Sequence, residues 1–496
     1  MPHAASVLAP ILLALACAPL AAQVPAGIAD CGCTVDQVLA NRVPPCARVV
    51  GEVVEVTDAE ELRAAIREAN DRGGDMTILL ADGTYPVVSP SSYPYLTASN
   101  LVIRGRSGDR EAVVVTGSGM RSVAPGTEMG FFAVGDDITI ADLTIRDIGN
   151  HAIAASGERL TVRNVRFQDT YEQMLKGVSA AGGADDARVH CNLFEYTAGI
   201  GPQYYIGGID AHEADRWVVS DNVFRDIASP NRSAAEHAVH LWRGSRDNLV
   251  ERNLVVDCDR GIGFGLGDVS DPALHCSGVI RNNAIANVGS DPFHDVGIGL
   301  ESAPGTVVAH NTVHVAYRNA IEYRFAATAG ATVVNNLTNR AVASRNGGQA
   351  AVAGNVSDAA ADWYVDAPAG DLHLAAARPG VTDAAVATTA TTVAVDHDRN
   401  PRPQGGAADV GAHEWMGATS AVGAVRGQPD FAAYPSPFTD ALTVALPEGT
   451  VVEVVSVAGR AVATRTVRGG RLELGRLPAG PYIVAAGAAW AWVVKR

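Results

Sequence analysis

Between His151 and Thr338 the chain repeats one short pattern about seven times. Each copy opens with a strand of small residues around one aliphatic residue and closes with a second strand read as apolar-x-x-Asn-apolar. The closing asparagines are Asn192, Asn222, Asn253, Asn283, Asn311 and Asn336, at spacings of 30, 31, 30, 28 and 25 residues. A period that long, with two or three short strands per copy, predicts a solenoid, because a single coil has no neighbour against which to bury its apolar face. Stacking then turns the linear sequence into a map of one surface.

The map follows from aligning the opening strands on Ile153, Leu175, Ile209, Val239, Ile262, Ile298 and Ile321. Side chains alternate faces along a strand, so residues one and three positions after an inward anchor point outward. Successive coils then present Ala154 and Ser156, Lys176 and Val178, Asp210 and His212, His240 and Trp242, Gly263 and Gly265, Gly299 and Glu301, and Glu322 and Arg324. An ordinary solvent face would carry interchangeable Thr, Ser, Lys and Asn. Here titratable residues flank a bare glycine floor, which predicts a groove roughly 24 Å long at about 4.8 Å per coil. The glycines are expected to let a polymer lie close to the sheet.

The 496 residues and 47% apolar content support a long buried core. A net charge of -16 argues against nucleic acid as a partner, since phosphate binding needs a basic stripe. Only Lys176 and Lys495 are lysines, beside 36 arginines, and one of the two falls in the groove register. Residues 1–22 read as a secretory signal, with an apolar run from Val7 to Leu15 and a small-residue end at Ala21-Ala22. Cys17 faintly matches a lipoprotein cleavage site, with the expected leucine displaced. No other stretch reaches the 18 apolar residues of a membrane span. A secreted or surface-held monomer is expected.

Six cysteines remain after the signal, an even number suited to an oxidising compartment. A Cys258–Cys276 bridge would close the excursion between them, worth about 3 kcal/mol. Cys31, Cys33 and Cys46 cluster before the first coil, leaving Cys191 as a buried thiol or the partner of a distant cysteine. A zinc site on the Cys-x-Cys pair has no histidine at ligand spacing.

Residues 51–88 read strand, helix, strand. Asp58 and Glu61 predict a capping box, Leu62, Ala65, Ile66 and Ala69 one apolar face, and Gly73-Gly74 the stop. Such a helix suits the open end of a solenoid. This helix leading into Leu79-Leu80-Ala81-Asp82-Gly83-Thr84-Tyr85, the Asn-containing coils, and the closing runs Asp396–Arg402 and Asp409–Glu414 together resemble a right-handed parallel β-helix of the pectate-lyase-like superfamily, over residues 51–416. Residues 432–496 resemble the C-terminal sorting domain of the type IX secretion system, through Tyr434-Pro435-Ser436-Pro437-Phe438, Val454–Arg460, Leu477–Tyr482 and the final Val493-Val494-Lys495-Arg496. Alternating apolar positions between Pro and Gly turns independently predict a small β-sandwich there. The expected order is a signal at 1–22, a cysteine-bearing segment at 23–50, an all-β solenoid at 51–416, a linker at 417–431 and a sandwich at 432–496.

The superfamily holds lyases, hydrolases, epimerases and adhesins, so the resemblance implies an extracellular polysaccharide as partner, and the type IX machinery as exporter, without choosing the chemistry. β-Elimination of a uronate polymer needs a cation for the carboxylate, a base for the C5 proton and an acid for the leaving oxygen. Lys176 suits the clamp, His240 or His212 the base, and Asp210 an orienting role, with Arg324 a further cation. Trp242, Tyr204 and Tyr205 could stack on sugar rings. A glycoside hydrolase using Glu301 and Glu322 is the nearest alternative, and a non-catalytic glycan binder or adhesin the next. The bland reading is a ladder of surface charges that neutralise one another. Calcium is a possible cofactor: Glu172 with Lys176 loosely matches the calcium-and-lysine pattern of chondroitinase B-like alginate lyases, and Asp268, Asp271, Asp291 and Asp295 could hold a hard cation.

Overall fold

The computed structural model describes residues 32–46, 48–87, 94–121, 128–178, 183–268, 275–289, 292–387, 393–416 and, further on, 433–434, 439–456, 461–474, 477, 480–486 and 489–495. The expected signal, Cys17, Cys31, the linker, Asp271, Asp291 and the Pro435–Phe438 motif lie outside them. The chain divides into two compact units, Met1–Trp415 and Met416–Arg496.

The first unit is a parallel solenoid. Among the described residues ten strands, from Tyr95–Leu96 to Ala341–Arg345, stack into one wall, and twenty more form the rest of the circuit. In the repeats the second stretch breaks into two short strands, such as Val218–Ser220 and Val223–Arg225, each paired with its counterpart in the next coil. The break is the same every time. Cys191, Asp221, Arg252, Asn282, His310 and Asn335 all have φ between 52° and 60°, a left-handed conformation that turns the chain, and the repeated asparagine follows directly.

Those asparagines are fully buried and form a continuous ladder. Asn222 Nδ2 donates to Asn253 Oδ1 at 3.0 Å, Asn253 to Asn283 at 3.0 Å, Asn283 to Asn311 at 2.9 Å and Asn311 to Asn336 at 2.9 Å. The same oxygens accept backbone N–H groups, and each Nδ2 also donates to a carbonyl of the previous coil, as Asn253 does to Val219 O at 2.9 Å. The turn exposes backbone groups that no ladder bond can satisfy, and only a short side chain with both a donor and an acceptor serves them in the dry interior. Inside the coil Phe167, Phe194 and Phe224 stack at 4.4 and 4.6 Å.

Helix Ala59–Arg72 covers the open end with the four predicted residues buried, and Gly73 closes it at φ 82°. Asp58 accepts from Glu60 N and Glu61 N. The capping box differs in one respect: the Glu61 carboxylate reaches past Asp58 to Thr57 N and Oγ1, at 2.7 and 2.8 Å. The disulfide expectation needs a larger correction. Cys258 is a buried free thiol, so no Cys258–Cys276 bridge exists, and Cys276 is oxidised elsewhere, as is Cys46. Spacing alone cannot show that the Cys258 side chain, just past strand Leu254–Val256, is buried among apolar neighbours. Cys191 has the distant partner, Cys33, 158 residues away, which holds the N-terminal segment over an outer apolar cluster containing Val35, Val38, Leu193 and Val223.

Among its described residues the second unit has a three-stranded and a four-stranded antiparallel sheet. Leu442, Val444, Val452, Val454, Leu472, Tyr482, Val484 and Val493 fill its core, as the alternation predicts.

Candidate functional site

All seven anchors stack as Cα partners in successive strand pairs and are completely buried. Register then fixes the neighbouring columns. Ala154, Lys176, Asp210, His240, Gly263, Gly299 and Glu322 form one unbroken row of partners. Two residues further along each strand, His212 faces Trp242 and Glu301 faces Arg324.

The two columns differ in exposure. Lys176, Asp210, His240 and Glu322 are 7%, 2%, 1% and 0% exposed, whereas His212, Trp242, Glu301 and Arg324 are half-buried at the rim. The first column is therefore covered by the second, where the sequence led us to expect both to face solvent. Trp242 shows how: its indole stacks on His240 with centroids 5.3 Å apart and planes 5° apart, and Nε1 donates to Asp210 Oδ1 at 2.6 Å. One face of the expected sugar platform is thus already occupied. Tyr204 lies under the guanidinium of Arg232 at 5.2 Å, and Tyr205 is 40% exposed.

Lys176, Asp210 and His212 form the first cluster. Lys176 Nζ donates to Asp210 Oδ2 at 2.7 Å and lies 3.2 Å from His212 Nε2. Burial would raise the Asp210 pKa, but the charge of Lys176 and its hydrogen bond hold it below the usual carboxylate range. Burial lowers His212, and the Lys176 charge lowers it further, to about 4. At neutral pH its imidazole is uncharged, with Nε2 accepting from the ammonium. Burial raises Tyr205, with Asp210, Glu172 and Glu236 adding to the effect, so its hydroxyl keeps its proton.

Glu301, Glu322 and Arg324 form a second cluster. Arg324 bridges both glutamates and reaches Asp295 at 3.4 Å, while Arg345 donates to Glu322 at 2.8 Å. Burial would raise Glu322, yet hydrogen bonds from Asn319 and Arg345 and the charge of Arg324 hold it low. The two glutamates, which their spacing suggested as a hydrolytic pair, are joined by a guanidinium between them.

Sequence reasoning missed Glu236, His237 and Arg260, and offered Asp295 only as a calcium ligand. His237 lies over the glycine row: a Cβ at Gly263 would stand 2.6 Å from His237 Nε2. Gly263 thus makes room for a protein ring, not for the expected polymer. The run Glu236-His237-x-x-His240 was visible, but the outward register was counted only after each anchor, and Glu236 and His237 precede Val239. Asp295 accepts from Arg260 at 2.9 Å and from Val296 N at 2.8 Å. A carboxylate held by two arginines does not suit an oxygen cage for calcium, and Asp268 is exposed.

Residues 125–338 match the family model described as a right handed beta helix region, and residues 432–495 match the secretion system C-terminal sorting domain. A comparison with curated proteins finds no match. Among solved structures, the chain is similar to an alginate lyase from Paenibacillus sp. str. FPU-7, at 17% identity over 62% of this chain and 99% of that one, TM-score 0.44. It is also similar to pectate lyase Pel9A, at 14% identity over 74% and 97%, TM-score 0.39. The endo-xylogalacturonan hydrolase from Aspergillus tubingensis aligns at 11% identity over 62% and 97%, TM-score 0.35. No helix among the described residues is long and apolar enough to cross a membrane. The chain is a right-handed parallel β-helix protein with a type IX C-terminal sorting domain, secreted or held at the outer surface.

Proposed function

We propose that the protein is a polysaccharide lyase that cleaves an acidic, uronate-containing polymer by β-elimination at Lys176, Asp210 and His212. The observation that carries this reading is the 3.2 Å contact between the Lys176 ammonium and His212 Nε2, beside an ionised Asp210. An uncharged imidazole next to a fixed cation is what removal of a proton alpha to a carboxylate requires. His212 takes the role of base ahead of His240, because His212 reaches the rim and His240 is sealed beneath Trp242.

A bound uronate carboxylate would pair with Lys176 and draw the ammonium away from Nε2. Neutralising Lys176 also removes part of what depresses the His212 pKa, so the base strengthens when substrate arrives. Nε2 then takes the C5 proton, the C5–H electron pair forms the C4–C5 double bond, and the C4–O4 bond breaks. The departing oxygen takes the proton of the Tyr205 hydroxyl. Water then removes the proton from His212 and restores the one on Tyr205, leaving one unsaturated and one new saturated chain end.

The hydrolase reading is weaker, because the buried, ionised Glu322 has no proton to give a leaving group and Arg324 stands between the two glutamates. Incubation with pectate, alginate and glycosaminoglycans tests the proposal. Ultraviolet absorbance from an unsaturated uronate is the expected result. New reducing ends without absorbance would show hydrolysis instead, and binding without turnover would show a glycan-binding protein.

A further inference from the structure

We propose that Glu236, His237 and His240 form a binding site for a borderline divalent cation of the zinc class, next to the Lys176 cluster. One ring nitrogen of each histidine and a Glu236 oxygen lie within 4.8 Å of one another. His240 supplies the central argument. Its Nε2 lies 3.0 Å from the Gly265 carbonyl, which can only accept, so Nε2 carries the hydrogen and Nδ1 the lone pair. That Nδ1 is buried without a hydrogen-bond partner and stands 3.7 Å from Glu236 Oε2. A buried lone pair and a half-buried carboxylate oxygen then stand side by side, too far apart to share a proton well. A cation between them resolves the repulsion. A backbone carbonyl holding the far N–H is also the usual means of fixing a metal-binding histidine.

His237 adds a third donor. Its Nδ1 is likewise buried without a partner, and its ring centroid is 4.5 Å from that of His240. Tetrahedral zinc with bonds of about 2.0–2.1 Å separates its ligands by about 3.4 Å, within a few tenths of an ångström of the Glu236–His240 spacing. A fourth position remains for water or a substrate oxygen.

The surrounding charges are mixed. Arg260 stands 3.8 Å from Glu236, and the charges of Arg260 and Arg324 reach His237. Asp295 pairs with both arginines and offsets them. A second cluster, His373, Asp398 and His413, has similar spacing, but both ring nitrogens of His373 are bonded to carboxylates. It offers no free lone pair there and serves as an internal control. The proposed site stands independently of the lyase reading, which assigns none of its three residues a step.

The test is calorimetric titration of the metal-free full chain with zinc chloride, together with metal content after dialysis. One zinc per chain is expected. His237→Ala and His240→Ala should each weaken binding by at least about 100-fold, since even outer-shell losses cost about 10–100-fold. Glu236→Gln, at a half-buried position, should weaken it by about tenfold or more and decides the matter if a histidine variant fails to fold. His373→Ala should leave the affinity unchanged. No binding by the wild-type chain, binding insensitive to Glu236→Gln, or binding lost in His373→Ala would overturn the proposal.

Discussion

The asparagine wall and the site face are built from the same coils yet differ in kind. On the wall, each coil repeats one solution: a left-handed residue, a buried asparagine, and the same hydrogen bonds to the coils on either side. On the site face, the seven in-register positions hold Ala, Lys, Asp, His, Gly, Gly and Glu. Repetition marks where every coil solves one shared physical problem. Departure from it marks where neighbouring coils hold unlike groups together, and there a side chain can be lost without unmaking the stack.

The strongest way to break the wall is at its corner clamp. Replacing Cys33 and Cys191 by serine frees a 158-residue loop and should cost up to about 5 kcal/mol in denaturant unfolding. Uronate turnover should persist while the chain stays folded. Asn253→Ala comes next. It strips the acceptor from Asn222 N and Nδ2 and the donor from Val219 O, all in the dry interior. At about 1–3 kcal/mol per orphaned group, a loss of about 3 kcal/mol or more is expected. His212→Ala at the half-buried rim should cost less than about 1 kcal/mol by the same measurement.

The pH dependence sharpens the contrast. Because His212 is depressed to about 4, kcat/KM should stay on its plateau as pH falls through 6.5 and decline only toward 4, where the base becomes protonated. An acid limb centred near 6.5 would mean that another histidine does the work. The smallest expected effect lies away from both regions. Hydrogen bonds to Asp371 and Asp398 outweigh burial and raise His373 to about 10. A pKa raised above its unfolded value stabilises fully below about 6.5 and loses that contribution as pH climbs toward 10. The side chain is partly solvated, so a modest fall in Tm across that window is expected, flattened in His373→Gln.

Much of this was legible in the sequence because strand alternation is rigid. The seven anchors and the row beginning Ala154, Lys176, Asp210 and His240 follow from counting alone. What counting missed depends on side-chain reach. The indole of Trp242 folds back over His240, His237 fills the space above Gly263, and Arg324 links two glutamates on adjacent coils. Cysteine pairing failed for the same reason, since spacing gives loop length but not the direction in which Cys258 points. The asparagines served first as period markers, and only their burial revealed them as hydrogen-bond partners for the turn.

The central claim is elimination at the Lys176–Asp210–His212 cluster, and the most direct test compares wild type with His212→Ala on a panel of uronate polymers, following unsaturated product by ultraviolet absorbance. The account predicts product from the wild-type chain and a loss of at least about 100-fold in the variant, with its cooperative unfolding intact. Equal absorbance from both proteins, or cleavage without absorbance from either, would contradict it.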